Sequence, residues 1–402
     1  MKKNILFFLF FTGVLFNACD KDDTEPHVFE RGQIIDNVLS ATLGTDYIKN
    51  IFSLYDDSFA SQVNYQYKVD LYKIVYETIT PLGEETIASG LLAVPVGITK
   101  APLVSFQHGT ILKDDAVPSN FVLGSGMELG LLFGTEGYIV CIPDYLGLGD
   151  GEGLHPYMHA ASEATATIDM LRAAKNKLAE LNVETNEQLF LLGYSQGGHA
   201  TMATHKAIEQ EYSGEFTVTA SAPMAGPYDV SGVMAELVLK KEAYISPGYL
   251  PYMLYAYNPI YHFYDDMESN FKSPYNVSLP PFFDGNNLYS LADVNKEMPA
   301  IPSDILTDEA YNAIMDKTNQ KIWTALEDND LYNWTPVAPI RMFHCNADVT
   351  VPMENAQKAL DYFQAHGVNN AELIMPLDGG THSSCLLPSL LGAKEWFNSM
   401  RK

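Results

Sequence analysis

The apolar positions of the N-terminal part of the chain follow first a helical and then an extended spacing. Residues 33–41 place apolar side chains on one side of a helix and predict a short amphipathic helix. Residues 69–80 and 86–95 are rich in Val, Ile, Tyr and Leu, and the Pro-Leu-Gly sequence at 81–83 is typical of a turn. These two segments therefore predict a β-hairpin.

The rest of the chain alternates short apolar runs with longer segments of helical spacing. Buried parallel strands are predicted for the apolar runs at residues 103–107, 138–142, 188–192, 216–222, 340–343 and 373–375. Helices are predicted at residues 160–181, 198–212, 354–366 and 390–400. Strands that alternate with helices indicate βαβ units, so the pattern predicts an α/β fold with a mostly parallel, doubly wound sheet.

One segment, residues 228–336, interrupts this alternation. About a hundred residues separate two predicted core strands, which is far more than a crossover needs, so a structured insertion is predicted there. Seven tyrosines lie between positions 244 and 264. These rings favour a cap that closes over an apolar or sugar-bearing ligand, or they form the hydrophobic core of the cap itself.

The composition and the charge of the chain exclude a disordered protein and disfavour a nucleic-acid partner. The chain has 402 residues and is 47% hydrophobic, which excludes a disordered protein. It has 24 Lys and Arg against 50 Asp and Glu, a formal net charge of −26. A chain this acidic repels the phosphates of nucleic acids, so no nucleic-acid partner is expected.

The first residues have the composition of an export signal. Two lysines precede an apolar run at residues 5–16, and this run is too short to span a bilayer. Residues 1–18 are therefore predicted to be a signal peptide.

The apolar run ends just before Cys19, in a context that resembles a bacterial lipobox. This resemblance implies cleavage before Cys19 and a lipid anchor on its side chain. Residues 19–31 then form an acidic tether, which resembles the sequence that directs some Gram-negative lipoproteins to the outer face of the outer membrane. A secreted or periplasmic protein cleaved after Ala18 is the alternative.

A Gly-x-Ser-x-Gly motif, Gly193-Tyr194-Ser195-Gln196-Gly197, lies where a predicted strand passes into a predicted helix. In this position the motif is typical of a nucleophile elbow, whose strained backbone exposes the serine hydroxyl. Glycine is needed on both sides because a Cβ would collide with neighbouring backbone. Ser195 is therefore the candidate nucleophile, and an ordinary glycine-rich turn is the alternative.

A serine nucleophile needs a neighbouring base that an acid orients, and both follow in the expected order. Asp348 lies in the loop after the predicted strand 340–343, and His382 lies in a loop beyond the last predicted strand. Of the two histidines beyond Asp348, His366 marks the end of a predicted helix, so His382 is the candidate base. Asp378 is the alternative to Asp348 as the acid.

Attack on a carbonyl creates an oxyanion, which needs N–H donors that are already in place. The backbone of Gln196, directly after the nucleophile, is one candidate donor. The second is expected in the loop after the first parallel strand, where His-Gly-Thr at 108–110 resembles a known form of oxyanion loop. Thr110 is the preferred donor and Gly109 the next. His108 is expected to pack within the loop, with a role as a second base as the alternative.

These motifs, in the order Ser, Asp, His, resemble the α/β-hydrolase superfamily, and specifically secreted esterases and lipases of the secretory-lipase type with a large cap. The resemblance runs from about residue 69 to the C-terminus and includes the Pro-Asp-Tyr-Leu-Gly loop that starts at residue 143. It implies an α/β-hydrolase domain over residues 32–402, with a mainly helical cap inserted at about 228–336. Asp144 is expected to be structural.

The resemblance also implies a chemistry: cleavage of carboxylic esters through an acyl-enzyme, with no metal or organic cofactor. The expected substrate is a small-molecule or glycan-linked acyl ester. Three alternatives stay open: a serine peptidase of the same fold, a deacylating esterase acting on decorated polysaccharides, and a binding protein on an inactive scaffold. Peptidases of this fold commonly add a β-propeller, for which the residues before 69 are too few.

The remaining candidates are cysteines and histidines. Cys345 and Cys385 each lie three residues from a candidate catalytic residue, so folding should bring their loops together. Export permits disulfides, and we expect one between these two cysteines, with two free thiols as the alternative. His155 and His159 have the i, i+4 spacing of metal ligands, but a proline intervenes and no adjacent glutamate completes a motif, so no metal site is predicted.

Overall fold

The computed structural model describes residues 27–402, so the predicted signal peptide, Cys19 and the first part of the tether lie outside the described residues. The strands of the described part are β1 (Ile34–Leu43), β2 (Val69–Ile79), β3 (Glu85–Pro95), β4 (Lys100–Gln107), β5 (Ile139–Pro143), β6 (Glu184–Tyr194), β7 (Val218–Met224), β8 (Ile340–Phe343) and β9 (Ala371–Ile374). They form one sheet in the order β1-β2-β3-β5-β4-β6-β7-β8-β9.

The helices of the described part are α1 (Thr45–Tyr55), α2 (Asp57–Ala60), α3 (Met127–Thr135), α4 (Ala160–Glu180), α5 (Gln196–Glu211), α6 (Ala235–Leu239), α7 (Tyr249–Tyr261), α8 (Tyr275–Ser278), α9 (Leu291–Glu297), α10 (Asp308–Met315), α11 (Gln320–Asp328), α12 (Glu354–Ala365) and α13 (His382–Met400). Across residues 27–402, no helix is both long enough and apolar enough to cross a membrane.

The pairing of the strands confirms the predicted fold class. β1, β2 and β3 pair antiparallel, and β3 pairs antiparallel with β5. From β5 onward every neighbour is parallel, which is the arrangement that βαβ crossovers produce. The sheet is thus a mostly parallel α/β sheet with an N-terminal antiparallel hairpin.

Helices cover both faces of this sheet. In β6, Phe190 and Leu192 belong to the apolar cluster that includes α3 and α13, whereas Leu189 and Leu191 belong to the cluster that includes α4. Alternate residues therefore face opposite helical layers, and both faces are buried, as expected for a central parallel strand.

The predicted amphipathic helix at 33–41 is wrong, because these residues form the edge strand β1. Two bulges interrupt the pairing of β1 with β2 and break the regular alternation of side chains. Ile35, Val38 and Leu39 are consequently about half exposed, at 48%, 52% and 51%. The spacing of these apolar side chains resembles that of an amphipathic helix. The residues instead form a strand, because they pair with the edge of β2.

The prediction for the C-terminal helix placed its start eight residues too late, at 390 instead of His382. Thr381 and Ser384 form a capping box that begins α13, and Pro388 lies inside the helix. His382 is therefore the first residue of a helix and does not lie in a loop.

Six helices, α6 to α11, lie between β7 and β8, where the cap was predicted. Their buried apolar side chains form a cluster separate from those on the sheet, and this cluster includes Tyr244, Tyr252 and Tyr257. Much of the tyrosine-rich sequence therefore builds the interior of this segment.

Candidate active site

Ser195 lies in the sharp turn between β6 and α5, with a φ of 61° and a ψ of −122°. The turn leaves no room for side chains on its neighbours. A Cβ on Gly193 would lie 2.3 Å from the Gly197 carbonyl oxygen, and one on Gly197 would lie 1.9 Å from the Gln107 carbonyl oxygen. Glycine is therefore required at both positions, and the serine is held in a strained conformation.

Three side chains form a continuous chain of hydrogen bonds at the carboxyl ends of the parallel strands. Ser195 Oγ lies 2.9 Å from His382 Nε2, and His382 Nδ1 lies 2.6 Å from Asp348 Oδ2. The residues follow β6, β9 and β8, respectively. The structure thus brings together the three residues selected from the sequence, in the arrangement of a nucleophile, a base and an orienting acid.

Asp348 is held as a carboxylate. Its Oδ1 accepts hydrogen bonds from the N–H groups of Thr350 and Val351, both at 2.9 Å, and His344 Nε2 lies 3.4 Å from Oδ2. Burial alone would raise the pKa of Asp348, but these donors and His382 outweigh it and hold the pKa well below its usual range. The alternative acid, Asp378, instead accepts a hydrogen bond from the Asn346 side chain on the surface.

The candidate oxyanion donors lie around Ser195. Gln196 is the first residue of α5, so its N–H has no partner within the helix. A Cβ on Gly109 would lie 3.9 Å from Ser195 Cβ, which places the loop beside the nucleophile. Among the described residues, the backbone N–H groups of Gly109 and Thr110 have no acceptor. Both therefore remain candidates for the second donor.

His108 and Asp144, in the neighbouring loops, are buried and hydrogen-bonded to the loops around them. His108 is 1% exposed and its ring nitrogens face the backbone carbonyls of Gly109 and Asp144, at 2.7 and 3.2 Å. Burial lowers the pKa of His108 to about 4, so the ring is neutral near pH 7. Asp144 is fully buried and accepts hydrogen bonds from the Ser89 hydroxyl and the Ser119 N–H, in keeping with its expected structural role.

A buried polar network under the nucleophile turn was not predicted. The side-chain amide of Gln196 donates to His155 Nε2 at 2.8 Å and to Glu163 Oε1 at 2.9 Å. The other oxygen of Glu163 lies 2.7 Å from His199 Nδ1. Glu163 lies in α4, whose sequence gives no sign that a glutamate faces inward. The network fixes the Gln196 side chain next to Ser195.

A narrow apolar cavity of about 80 Å³ leads from Ser195 and Gln196 into the segment between β7 and β8. Tyr244, Tyr249 and Tyr257 are among its lining residues. Tyr244 and Tyr257 thus belong both to the interior of this segment and to the wall of the cavity.

Tyrosines of the same segment also fasten it to the candidate catalytic loops. The Tyr244 hydroxyl donates to the Thr350 carbonyl at 2.7 Å, two residues from Asp348. The Tyr252 hydroxyl donates to the Ile111 carbonyl at 3.0 Å, next to Thr110. We call the loop that carries Asp348 the acid loop, and the loop that carries Gly109 and Thr110 the oxyanion loop. Each of these loops therefore accepts a hydrogen bond from one tyrosine of the segment.

A disulfide joins the acid loop to α13. The sulfurs of Cys345 and Cys385 are 2.06 Å apart, with their Cα atoms separated by 5.9 Å. This bond links the segments that carry Asp348 and His382. Cys141 is buried in β5. Within residues 27–402, no group of three or more His, Cys, Asp or Glu side chains is placed to hold a metal ion.

Known proteins resemble this chain over most of its length. The secreted triacylglycerol lipase LIP5 of Malassezia furfur is 24% identical over 278 residues, which are 68% of this chain and 67% of the relative. The structure of a Legionella pneumophila protein assigned to the hydrolases matches with a TM-score of 0.84 and 27% identity, covering 91% of this chain and 98% of that one. The ligand-bound rice cell wall degrading esterase LipA from Xanthomonas oryzae matches with a TM-score of 0.78 and 29% identity, covering 91% and 96% of the two chains.

The sequence profile of the secretory lipase family matches residues 126–397, which is more than half of the chain. The matched region contains the nucleophile turn, the acid loop and the start of α13. The chain belongs to the secretory lipase family and is a carboxylic ester hydrolase of the α/β-hydrolase fold.

Proposed function

We propose that the protein hydrolyses carboxylic esters through a triad of Ser195, His382 and Asp348 and an acyl-enzyme intermediate. The observation that carries this proposal is the unbroken hydrogen-bond chain from the Ser195 hydroxyl to the Asp348 carboxylate. Family membership supports ester hydrolysis over the peptidase alternative.

In the first half of the reaction, His382 Nε2 accepts the Ser195 proton while Oγ attacks the ester carbonyl. Asp348 fixes the orientation of the imidazole and stabilises its protonated form. The oxyanion is bound by the Gln196 N–H and by the N–H of Thr110 or Gly109. His382 then protonates the departing alcohol, and the ester carbon–oxygen bond breaks.

In the second half, water takes the place of the alcohol. His382 accepts a proton from this water, which attacks the acyl-enzyme, and the acid leaves as Ser195 regains its proton. No step calls for a metal or an organic cofactor.

The apolar cavity supports a short acyl chain as the preferred substrate. Its lining contains no charged side chain, and it starts at Ser195. At about 80 Å³ it is smaller than an apolar cavity that holds one benzene, which is about 150 Å³. A short acyl group fits this volume, and a long chain has to displace cap side chains.

The relatives support two kinds of ester. The Malassezia protein is a triacylglycerol lipase, which favours lipid esters, and the Xanthomonas protein degrades rice cell wall, which favours acyl groups on polysaccharides. The size of the cavity favours a short acyl group with either kind of alcohol.

The proposed location is the outer face of a Gram-negative outer membrane, through a lipid on Cys19. The Malassezia relative is secreted, which supports export of this chain as well. Labelling of cells with a radioactive fatty acid tests the anchor. We expect label on the wild-type protein and none on Cys19→Ala.

Hydrolysis of p-nitrophenyl esters from acetate to palmitate tests the proposed function. We expect turnover to be highest with acetate to hexanoate and to fall with longer chains. Ser195→Ala is the control and should lose about 10⁶-fold in kcat while keeping the folded structure. Near-normal activity of that variant would refute the triad, and a preference for palmitate would refute the short acyl chain.

A further inference from the structure

A second cavity, of about 420 Å³, lies beside the candidate oxyanion loop. Its walls come from α1, α2, α3 and α13, and its lining is mostly apolar: Phe52, Phe59, Leu129, Leu386, Leu387 and Leu390. The volume lies within the range of small-molecule pockets, roughly 300–1,000 Å³. None of its lining residues is shared with the cavity in the cap.

The second cavity borders the candidate reacting groups on the side of the base, although neither Ser195 nor His382 lines it. Gly109 and Tyr194 line it, and these residues flank the oxyanion loop and the nucleophile. The Tyr194 hydroxyl donates to the His382 carbonyl, and the two rings are 5.2 Å apart between centroids. Three of the apolar lining residues belong to α13, the helix that His382 begins.

We propose that this second cavity binds the alcohol half of the ester, and this proposal rests on the function proposed above. The departing oxygen must take its proton from His382, so the alcohol has to lie on the side of that residue. α13 contributes three residues to the second cavity and none to the cap cavity. The acyl half therefore occupies the cap cavity and the alcohol half the second cavity.

The lining determines which alcohols fit. Apart from Glu128, which already accepts hydrogen bonds from the Tyr55 hydroxyl and the Gly124 N–H, the cavity has no charged side chain. A negatively charged alcohol is repelled by Glu128, and an uncharged aliphatic alcohol buries its chain against phenylalanine and leucine. Tyr55 and Leu386 are 55% and 37% exposed, so the cavity opens to solvent and a chain can enter.

Butyrate esters of methanol and of 1-hexanol test this proposal, because they share one acyl group and differ only in the alcohol. The measured quantity is the ratio of kcat/KM for hexyl to methyl butyrate, since the alcohol has left before the acyl-enzyme is hydrolysed. We expect a ratio of at least about 10 in the wild-type protein, which is the lower end of the range that a single added methylene gives in an apolar pocket.

Leu387→Trp fills the second cavity and is expected to lower this ratio at least tenfold. Leu387→Ala enlarges the cavity and is expected to raise the preference for decyl over hexyl butyrate, which tests the same wall without added bulk. The matched control is Leu54→Trp, because Leu54 lies in α1 but is 81% exposed and does not line the cavity. Its ratio should equal that of the wild-type protein.

The outcomes separate the two proposals. A hexyl-to-methyl ratio near 1 in the wild-type protein overturns the alcohol site even when methyl butyrate is hydrolysed. The same conclusion follows if Leu387→Trp leaves the hexyl-to-methyl ratio unchanged and Leu387→Ala leaves the decyl-to-hexyl ratio unchanged. Hydrolysis of methyl butyrate that persists in Ser195→Ala overturns the triad instead.

Discussion

At the scale of single residues, the site depends on which carboxylate orients the base. Two aspartates are candidates from the sequence, but only Asp348 contacts the His382 ring, at 2.6 Å. Asp348 also receives two backbone N–H groups, which keep it ionised and fixed. Replacing each aspartate in turn therefore distinguishes Asp348 from Asp378 as the acid that orients His382.

Asp348→Asn should lower kcat by about 10⁴-fold, because the amide favours the wrong tautomer of His382. Asp378→Asn is the matched control and should retain activity close to that of the wild-type protein, since Asp378 contacts Asn346 on the surface. Kinetics with p-nitrophenyl butyrate measure both. Similar losses in the two variants would contradict the assignment of the acid.

Asp144 yields a prediction about pH and stability. Burial raises its pKa to about 6, against about 3.9 for an ordinary aspartate. Between these two pH values the folded protein keeps a proton on Asp144 that the unfolded chain has lost. Protonation of Asp144 therefore stabilises the folded state fully below pH 4, and this contribution is lost as the pH rises through 6.

We expect the free energy of unfolding to decline by about 3 kcal/mol more in the wild-type protein than in Asp144→Asn between pH 4 and pH 7. Denaturant titrations at a series of pH values give this difference. Parallel curves for the two proteins would show that Asp144 does not titrate in this range.

Prediction from the sequence identified candidate residues where a motif implies its own geometry, and the catalytic roles of these residues stay proposals. The strand-to-helix turn indicated Ser195, and the order of strands led to Asp348 and His382. It missed Glu163, because a buried glutamate in α4 has the same sequence signature as an exposed one. Its neighbours, His199 and Gln196, are brought to it by packing between α4 and α5, which no local pattern encodes.

At the scale of elements, α7 connects the segment between β7 and β8 to the loop that carries Gly109 and Thr110. Tyr252 lies in this helix and donates to the Ile111 carbonyl in the oxyanion loop. Tyr255 lies three residues further along the same helix, and its buried hydroxyl has no hydrogen-bond partner among the described residues. The two tyrosines form a matched pair for testing the connection.

Tyr252→Phe should cost about 1 kcal/mol of stability and should lower kcat/KM, since the loop that holds Gly109 and Thr110 loses a hydrogen bond. Tyr255→Phe should be neutral or slightly stabilising, because it removes an unpaired buried hydroxyl. Denaturation and steady-state kinetics of both variants measure the difference. Equal effects would mean that the tyrosine hydroxyl does not support the oxyanion loop.

The sequence predicted the hairpin from two extended segments joined by a turn, and the parallel strands from short apolar runs that alternate with segments of helical spacing. It failed at β1, where two bulges and exposure of the edge give strand residues a helical spacing. It also missed α3, in which all nine residues are buried and no polar face marks the period. The start of α13 was obscured by Pro388 inside the helix.

At the scale of the whole molecule, two apolar cavities lie near the candidate reacting groups at the carboxyl ends of the parallel strands. One cavity runs into the cap and the other lies between α1, α3 and α13. The Cys345–Cys385 disulfide ties the acid loop to the helix of the base at the same end of the sheet. The sites proposed for the acyl and alcohol halves of an ester thus lie in two separate cavities.

The proposed nucleophile is Ser195, activated by His382, and a phosphonate ester labels such a nucleophile covalently. p-Nitrophenyl hexylphosphonate reacts only with an activated nucleophile, and mass spectrometry of digested protein locates the adduct. We predict one adduct, on Ser195, which forms at least about 10³-fold more slowly in His382→Ala. An adduct on another residue, or equal rates in the two proteins, would contradict the account.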